Sequence, residues 1–336
     1  MALASMDMVV LIVILGLLFD YTNGFHDAAN VVSTVIATRV LAPLTAIILA
    51  AFLNVLGATQ ISGVAKTITT GLVNLQSASQ ITVLCALAGA IFWNYLTWYF
   101  GIPSSSSYAL VGGLIGASWV HEGFGVILWG GLFNKVVLPM ILSPIVGFLL
   151  GFAVLKGLNA LMRVRFFKRK QGIFSHLQVV SAGLVALAHG LNDAQKSMGI
   201  ITLGLYAGGF LVQPHIPFWV IVACALMMGL GTASGGFRII KTVGFEITKL
   251  HPLQGFAAET SASCVILTAS FLGMPISSTH MIVGSVTGVG IAQGPSRVRW
   301  STGHKMVIAW ILTLPGAGFV AAIVFKLLHL FFPSPL

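Results

Sequence analysis

Charged residues are scarce in this sequence, and their scarcity argues against a soluble globular fold. Only 7% of the 336 residues are Asp, Glu, Lys or Arg, whereas 57% are hydrophobic; ordinary soluble domains are about 25% charged. Apolar runs such as 41–56, 81–100 and 307–325 are as long as a membrane-spanning helix, which needs roughly 17 to 25 residues. The sequence therefore predicts an all-α polytopic membrane protein that is surrounded by the lipid bilayer.

Cysteines and acidic residues are also few. Cys85, Cys224 and Cys264 lie singly in apolar segments without a CxxC spacing, which argues against a disulfide framework and a thiolate metal site. Seven acidic residues stand against 17 Lys and Arg, giving a formal net charge of +10. Because Lys and Arg accumulate on the cytoplasmic loops of membrane proteins, this excess does not indicate a nucleic-acid partner.

The chain contains two copies of one plan. NGFHDAAN at 23–30 is echoed by HGLNDAQK at 189–196, and GIPSSSSY at 101–108 is echoed by GMPISSTH at 273–280, in the same order and at similar separation. A basic segment lies between the copies. We therefore predict a first membrane repeat at 1–162, a basic cytoplasmic linker at 163–172 and a second membrane repeat at 173–336.

The distribution of bases predicts that the second repeat is inverted relative to the first. Arg39 follows the first acidic motif, whereas residues 208–218 after the second motif have no Lys or Arg. Residues 117–123 have none either, whereas their counterpart at 293–305 has three. With the linker in the cytoplasm, both termini lie outside the cell membrane. An odd number of crossings per half then requires three crossings plus a hairpin, with each acidic motif interrupting a long helix.

Four acidic residues fall within largely apolar stretches: Asp20, Asp27, Asp193 and Glu259. An ionisable group at membrane depth costs roughly 2.5 to 3.5 kcal/mol, so each is a candidate functional residue. Asp27 and Asp193 occupy corresponding positions of the two repeats, and we expect them to bind sodium ions or protons. The alternative is a neutralised carboxyl group that caps a broken helix.

Two hydroxyl-rich segments each follow a proline and precede a glycine-containing apolar helix. They consist of Ser104, Ser105, Ser106 and Ser107 in the first repeat and Ser277, Ser278 and Thr279 in the second. The pattern is typical of helix N-caps, at which free N–H groups and the positive end of the helix dipole favour an oxyanion. The alternative is ordinary capping by hydroxyls that never contact a ligand.

An anion site lined with carboxylates requires a cation to offset the charge, which favours symport. Asn30, Asn192 and Gln195 could complete an oxygen shell around that cation, together with backbone carbonyls freed at helix breaks; hydrogen bonding between helices is their alternative role. His189 and Asp193, four residues apart, suggest a transition-metal site only weakly, because His189 corresponds to Asn23 and is not duplicated.

The duplicated Gly24-Phe-His-Asp27 and Gly190-Leu-Asn-Asp193 motifs resemble those of the inorganic phosphate transporter family, often called PiT. The resemblance extends over nearly the whole chain, including both Pro-Ser segments and the ETSAS stretch at 259–263. It implies an inverted-repeat fold, phosphate uptake coupled to sodium or protons, and a homodimer. The short linker lacks the long central loop of some relatives.

By this resemblance the cation-binding residues are Asp27, Asn30, Asn192 and Asp193, with sodium a candidate ion at the two aspartates. Phosphate is expected at the two hydroxyl-rich segments, while Glu259 and Gln195 are additional candidates. No cofactor is implied beyond the co-transported sodium ions or protons. We expect alternating access around one site near the middle of the bilayer.

Three other functions compete with phosphate symport. A transporter of another oxyanion such as sulfate would share the same architecture. An intramembrane enzyme would need one asymmetric nucleophile site, whereas the candidate residues here are duplicated. A channel would conduct without ion coupling. We therefore expect a transporter and no enzymatic activity.

Overall fold

A computed structural model describes residues 2–163 and 172–331, and within these ranges the chain forms helices and no strands. Most of the predicted linker, at 164–171, lies outside the described residues, as do both ends of the chain. The helices of the first half are α1 (Ala2–Ala37), α2 (Pro43–Ala58), α3 (Gly63–Thr70), α4 (Gln80–Tyr99), α5 (Ser106–Glu122) and α6 (Trp129–Leu161). Those of the second half are α7 (Ile173–Ala207), α8 (Phe218–Ser234), α9 (Phe237–Phe245), α10 (Pro252–Phe271), α11 (Ser278–Gln293) and α12 (Trp300–Phe331).

The order and the lengths of the helices repeat. α1 and α7 have 36 and 35 residues, α4 and α10 have 20 each, and α6 and α12 have 33 and 32. In both halves the second span is bent, by 67° between α2 and α3 and by 71° between α8 and α9. Each half thus has two long helices, one bent pair and one helical hairpin, which is consistent with the predicted three crossings plus a hairpin.

The long helices are apolar and match the thickness of a bilayer. At 1.5 Å per residue, a helix of more than 30 residues exceeds the roughly 30 Å hydrocarbon core and can cross it with some tilt. In the described part of the chain, five helices are long and apolar enough to span a membrane, and seven spans result if each bent pair counts as one. Large apolar side chains such as Leu149, Ile311 and Phe319 are exposed on α6 and α12, as lipid contact requires. The predicted all-α membrane fold is confirmed.

The helices of the two halves are interleaved, and many helices of one half pack on helices of the other half. The outer helix α6 of the first half packs on α11 of the second, and α12 of the second half packs on α5 of the first. In the same way α2 packs on α7 and α8 packs on α1. Every helix of the centre therefore contacts the other half, and the duplicated motifs meet at that junction.

The expected helix breaks at the acidic motifs were wrong, because α1 and α7 run unbroken through Asp27 and Asp193. The motif glycines serve close helix packing instead. A Cβ on Gly24 would lie 2.5 Å from the Met228 carbonyl oxygen, and one on Gly190 would lie 2.1 Å from that of Asn54. Neither motif contains a proline, so nothing removes a helical hydrogen bond there. The predicted free carbonyl ligands at this level are therefore absent from both helices.

Candidate functional site

The helices α1 and α7 cross the centre of the molecule antiparallel to each other. The Gly16 backbone on α1 lies against the Ile201 side chain on α7, and the Gly204 backbone on α7 lies against Ile12 on α1. Positions nearer the start of α1 therefore contact positions nearer the end of α7. Because Asp27 and Asp193 occupy the same place in their repeats, this crossing brings them together. Antiparallel packing of corresponding helices is the arrangement that inverted repeats require.

The two motif aspartates share one buried cluster. Ligand atoms of Asp27, Asp193 and His189 all lie within 4.8 Å of one another, and their residues are at most 3% exposed. His189 Nε2 lies 2.8 Å from Asp193 Oδ2, and His26 Nδ1 lies 2.7 Å from Asp27 Oδ1. Each aspartate thus has one histidine partner, although the two histidines occupy different positions of the motif.

The hydroxyl-rich segments begin α5 and α11 inside the protein core. The Ser105 hydroxyl accepts a hydrogen bond from the Tyr108 backbone N–H at 3.4 Å, and Ser277 accepts one from the His280 N–H at 3.2 Å. The two serines are therefore the predicted N-caps. Residues 104–107 and 277–279 are at most 5% exposed, so the positive ends of both helix dipoles lie away from solvent.

The start of α11 connects the two aspartates. Ser278 Oγ donates a 2.6 Å hydrogen bond to Asp193 Oδ2, and Thr279 Oγ1 donates one of 3.3 Å to Asp27 Oδ1. The Asn30 amide in turn donates to Thr279 Oγ1 at 2.9 Å. Three of the residues predicted to bind a cation, Asp27, Asn30 and Asp193, therefore lie beside two residues predicted to bind phosphate.

The start of α5 approaches the same cluster through different contacts. Ser104 Oγ lies 3.3 Å from His26 Nε2 and donates a 2.8 Å bond to Thr97 Oγ1, so it touches the partner of Asp27. Ser107 Oγ donates to the Ile276 carbonyl oxygen at 3.2 Å, which links the two hairpin tips. Ser106 is buried, and its hydroxyl has no hydrogen-bond partner in the described part of the chain.

Lys196 is the functional candidate that the sequence analysis missed. It is 1% exposed, and its ammonium group is ion-paired with Asp193, contacts Ser107 Oγ and donates to the Ile276 carbonyl at 2.8 Å. It lies three residues after Asp193, where the first repeat has Asn30. The signal was present, since a lysine within an apolar helix is as costly as a carboxylate. This ammonium group is the cationic group nearest to both hairpin tips among the contacts described.

Two predicted residues, Asn192 and Gln195, make hydrogen bonds to helices outside the cluster. The Asn192 amide donates to Ser270 Oγ at 2.8 Å, so it joins α7 to α10. Gln195 Oε1 accepts from the backbone N–H groups of Val64 and Ala65 at 2.8 and 3.1 Å, which caps α3. That oxygen is thereby occupied in this conformation.

Glu259 lies in a separate hydrogen-bonded group. Its carboxylate accepts from Thr34 Oγ1 at 2.6 Å, from Gln178 Nε2 at 3.0 Å and from Ser181 Oγ. Thr34 lies seven residues beyond Asp27 on α1, about 10 Å along the helix. Glu259 is thus fully buried and satisfied at a different depth from the two aspartates.

The charges of the cluster are unbalanced. Two carboxylates face one ammonium group, that of Lys196. Lys196 neutralises Asp193, whereas the described contacts of Asp27 are a histidine and a hydroxyl. In the described part of the chain, Asp27 is thus the carboxylate of the cluster without an ammonium group beside it. The weakly indicated metal site at His189 and Asp193 has an ammonium group against it, which repels a divalent ion.

The two adjacent serines at the start of α11 allow a matched test of ligand contact. Ser277→Ala removes a helix cap, and we expect a loss of about 1 kcal/mol in stability with little change in phosphate affinity. Ser278→Ala removes a donor beside Asp193, and we expect phosphate binding to weaken by roughly 1 to 3 kcal/mol. Thermal unfolding and equilibrium phosphate binding of both purified variants measure the two effects. Equal phosphate affinity in the Ser278 variant and the parent would move the anion away from this hairpin tip.

Comparison with known proteins places this geometry in one family. The model of the "Phosphate transporter family" matches residues 23–321. A "Probable low-affinity inorganic phosphate transporter" of Bacillus subtilis is 43% identical over 327 residues, which cover 96% of this chain and 98% of that protein. A protein of the same description from Rhizobium meliloti is 42% identical over 324 residues, covering 96% of this chain and 97% of its own.

A solved structure shares the fold. The chain named "The sodium-dependent phosphate transporter" superimposes with a TM-score of 0.87 at 26% sequence identity. The alignment covers 97% of this chain and 100% of that one. The residues matched by the family, 23–321, include both acidic motifs and both hairpins.

Proposed function

Since the chain belongs to the phosphate transporter family, we propose that it is a symporter that takes up inorganic phosphate together with sodium ions or protons. Its family and relatives are transporters and not enzymes. The observation that carries the proposal is the meeting of both duplicated motifs in one buried cluster: two carboxylates, one ammonium group and the starts of two helices. Such a cluster has groups for an anion and for a cation at the same depth.

The cation site is centred on Asp27, with Asn30 and Asp193 as neighbours. A buried carboxylate without a cationic partner is stabilised by binding a proton or a sodium ion. The Asn30 Oδ1 atom is buried and has no partner among the described residues, so it can join an oxygen shell. Asn192 also has a free Oδ1 and remains a candidate, although its amide nitrogen is held by α10.

Lys196 couples the cation to the anion in this proposal. Without ligands its ammonium group is neutralised by Asp193. A cation bound between the aspartates takes over that neutralisation, and Lys196 is then free to pair with phosphate next to Ser107. Phosphate binding is thereby favoured only when the cation is present, which is the thermodynamic basis of symport.

Alternating access follows if the halves at 1–162 and 173–336 are inverted and the basic segment at 163–172 joins them in the cytoplasm. The antiparallel crossing of α1 and α7 supports this inversion. The two bent spans, α2 with α3 and α8 with α9, are candidate moving elements because each contacts the opposite hairpin: Thr67 on α3 bonds the Gly273 carbonyl, and Thr242 on α9 bonds that of Gly101. The family resemblance supports a homodimer, and the distribution of Lys and Arg supports external termini in the cell membrane.

The orientation can be tested with single cysteines in a cysteine-free background. We expect a cysteine in place of His121 to react with an impermeant reagent added outside intact cells. A cysteine in place of Arg297, an exposed position near the start of α12, should react only after permeabilisation. Labelling of both positions from the same side would contradict the inverted topology.

Transport itself is tested with the purified protein in liposomes that contain no other carrier. Radiolabelled phosphate is offered with an inward sodium gradient alone and then with an inward proton gradient alone. We expect at least one of these gradients to drive phosphate above its equilibrium level. Excess sulfate should not compete, because only hydrogen phosphate carries a P–OH donor for the Asp27 carboxylate. Uptake that never exceeds equilibrium would indicate a channel, and full competition by sulfate would indicate a general oxyanion carrier.

A further inference from the structure

Asp20 is a buried carboxyl group that the central cluster does not use. It lies on α1 two helical turns before Asp27, about 10 Å away along the axis, and is 0% exposed. Its Oδ1 atom accepts a 2.7 Å hydrogen bond from Ser197 Oγ on α7. Its Oδ2 atom has no hydrogen-bond partner in residues 2–163 or 172–331.

Asp20 has no ion-pair partner among the described residues, and the lysine that acts on it, Lys196, is ion-paired with Asp193. The neighbouring helices α2, α4 and α8 contain no Asp, Glu, Lys or Arg, and the titratable group that α8 brings near is Cys224. The helix α9 carries Arg238 and Lys241, but its Gly244 lies against Ser33 and Ala37, in the later part of α1. On α7 the nearest charged groups are Asp193 and Lys196, which are paired with each other. An ionised Asp20 would therefore carry an unpaired charge into a low-dielectric environment, which is strongly unfavourable.

A second unpartnered acceptor lies on the same side of α1. Asn23 follows Asp20 by three residues, so the two side chains are neighbours on the helix surface. The Asn23 residue is 1% exposed, and its Oδ1 atom has no donor among the described contacts. A proton on Asp20 Oδ2 converts one of these two acceptors into a donor, and a hydrogen bond between them then satisfies both atoms.

A metal ion fits the same place poorly. A hard cation needs a shell of several oxygen ligands, whereas the described neighbours of this carboxyl group add only two, the Ser197 hydroxyl and the Asn23 amide oxygen. Asp27 differs, because it lies beside Asn30, Thr279 and a second aspartate. The chemistry around Asp20 therefore selects a proton.

We propose that Asp20, with Ser197 and Asn23, forms a proton-binding site separate from the central cluster, on the side of the N-terminal end of α1. Because α1 and α7 are antiparallel, the residues that precede Asp27 on α1 lie beside the residues that follow Asp193 on α7. Asp20 therefore contacts Ser197. A carboxyl group here is positioned to gain or lose a proton as that side of the site opens and closes. This role in the cycle rests on the proposed symport, whereas the protonation itself does not.

Infrared difference spectroscopy of the purified protein tests the protonation without phosphate. We expect the carbonyl band of a protonated buried carboxyl group at neutral pH, and we expect Asp20→Asn to lose the Asp20 component of that band. Asp7→Asn, at an exposed position of the same helix, should leave the band unchanged. Ser197→Ala keeps the carboxyl group and should shift its band to higher frequency, which provides a second variant if Asp20→Asn does not fold.

Two results would overturn the proposal: a parent-minus-variant spectrum without a protonated carboxyl band, or loss of the band when sodium is added at constant pH. The second result would identify a sodium site instead. Failure of phosphate transport in liposomes with the band intact would refute the symport and leave the proton site standing. If the band is present and transport occurs, the proton-to-phosphate ratio should be smaller in Asp20→Asn than in Asp7→Asn.

Discussion

Replacing Asp27 by Asn is expected to abolish accumulation of phosphate against its gradient. The amide keeps the shape of the side chain and can still accept hydrogen bonds from Thr279 and the neighbouring His26. It removes the negative charge that binds the coupling cation, and without that cation the cluster no longer draws phosphate in. The protein itself should fold, because the substitution keeps the size of the buried side chain and leaves the ion pair between Asp193 and Lys196 in place.

Liposome uptake under the gradient that drives the parent protein measures this effect. The variant should equilibrate phosphate at most, and Asp7→Asn, with the same substitution at an exposed position of α1, should accumulate it like the parent. Size-exclusion chromatography and thermal unfolding establish that both variants are folded. If Asp27→Asn still concentrates phosphate with the native ion dependence, this aspartate has a structural role and the cation site lies elsewhere.

Breaking the ion pair between Asp193 and Lys196 should have the second large effect, on folding as well as on transport. Lys196→Met leaves Asp193 buried without its cation, and Asp193→Asn leaves the ammonium group with neutral acceptors. Removal of one partner of a buried pair costs about 3 to 5 kcal/mol. We expect each single variant to lose stability to that extent in unfolding experiments, whereas Lys156→Met, at an exposed position of α6, should not.

The double variant separates the two roles of the pair. Asp193→Asn combined with Lys196→Met removes both charges, so its loss of stability should be smaller than the sum of the single losses. Phosphate binding should nevertheless stay weak, because the ammonium group assigned to the anion is gone. Strictly additive losses would show that the pair is not coupled, and native phosphate affinity in the double variant would exclude Lys196 as an anion ligand.

Much of the fold could be predicted because it depends on composition and on repetition. Helices of membrane length follow from apolar runs in a solvent that cannot hydrogen-bond the backbone. The N-caps at Ser105 and Ser277 follow from local chemistry, since a hydroxyl after a proline turn is the preferred partner of free N–H groups. These features depend on neighbours in the sequence, and the sequence shows them directly.

The predicted helix breaks failed because the function of a glycine depends on what packs against it. Gly24 and Gly190 flank the acidic residues and suggested unwound helices. Their actual role is close approach of another helix backbone, and the chain bends instead between α2 and α3 and between α8 and α9. Contacts between segments far apart in sequence cannot be read from one motif.

Lys196 was missed because the search for site residues followed carboxylates and duplication. Its counterpart in the first repeat is Asn30, so the requirement for symmetry excluded it. A lysine side chain can also extend along apolar surface and place its ammonium group at the membrane interface. An isolated lysine in an apolar helix therefore does not by itself indicate a buried charge. Only the packing of α7 against both hairpin tips shows that its ammonium group is held in the centre. Gln195 is the converse case, since its amide faces α3 rather than the cluster.

Reciprocal binding of phosphate and cation to the purified protein tests the central claim most directly. Calorimetric titration with phosphate is carried out at several sodium concentrations and at several pH values. We expect the coupling cation to tighten phosphate binding by 1 to 3 kcal/mol, a factor of about 5 to 150, and phosphate to tighten cation binding by the same factor. The coupling should vanish in Asp27→Asn. Phosphate binding that is independent of both sodium and pH in the parent protein would contradict the account.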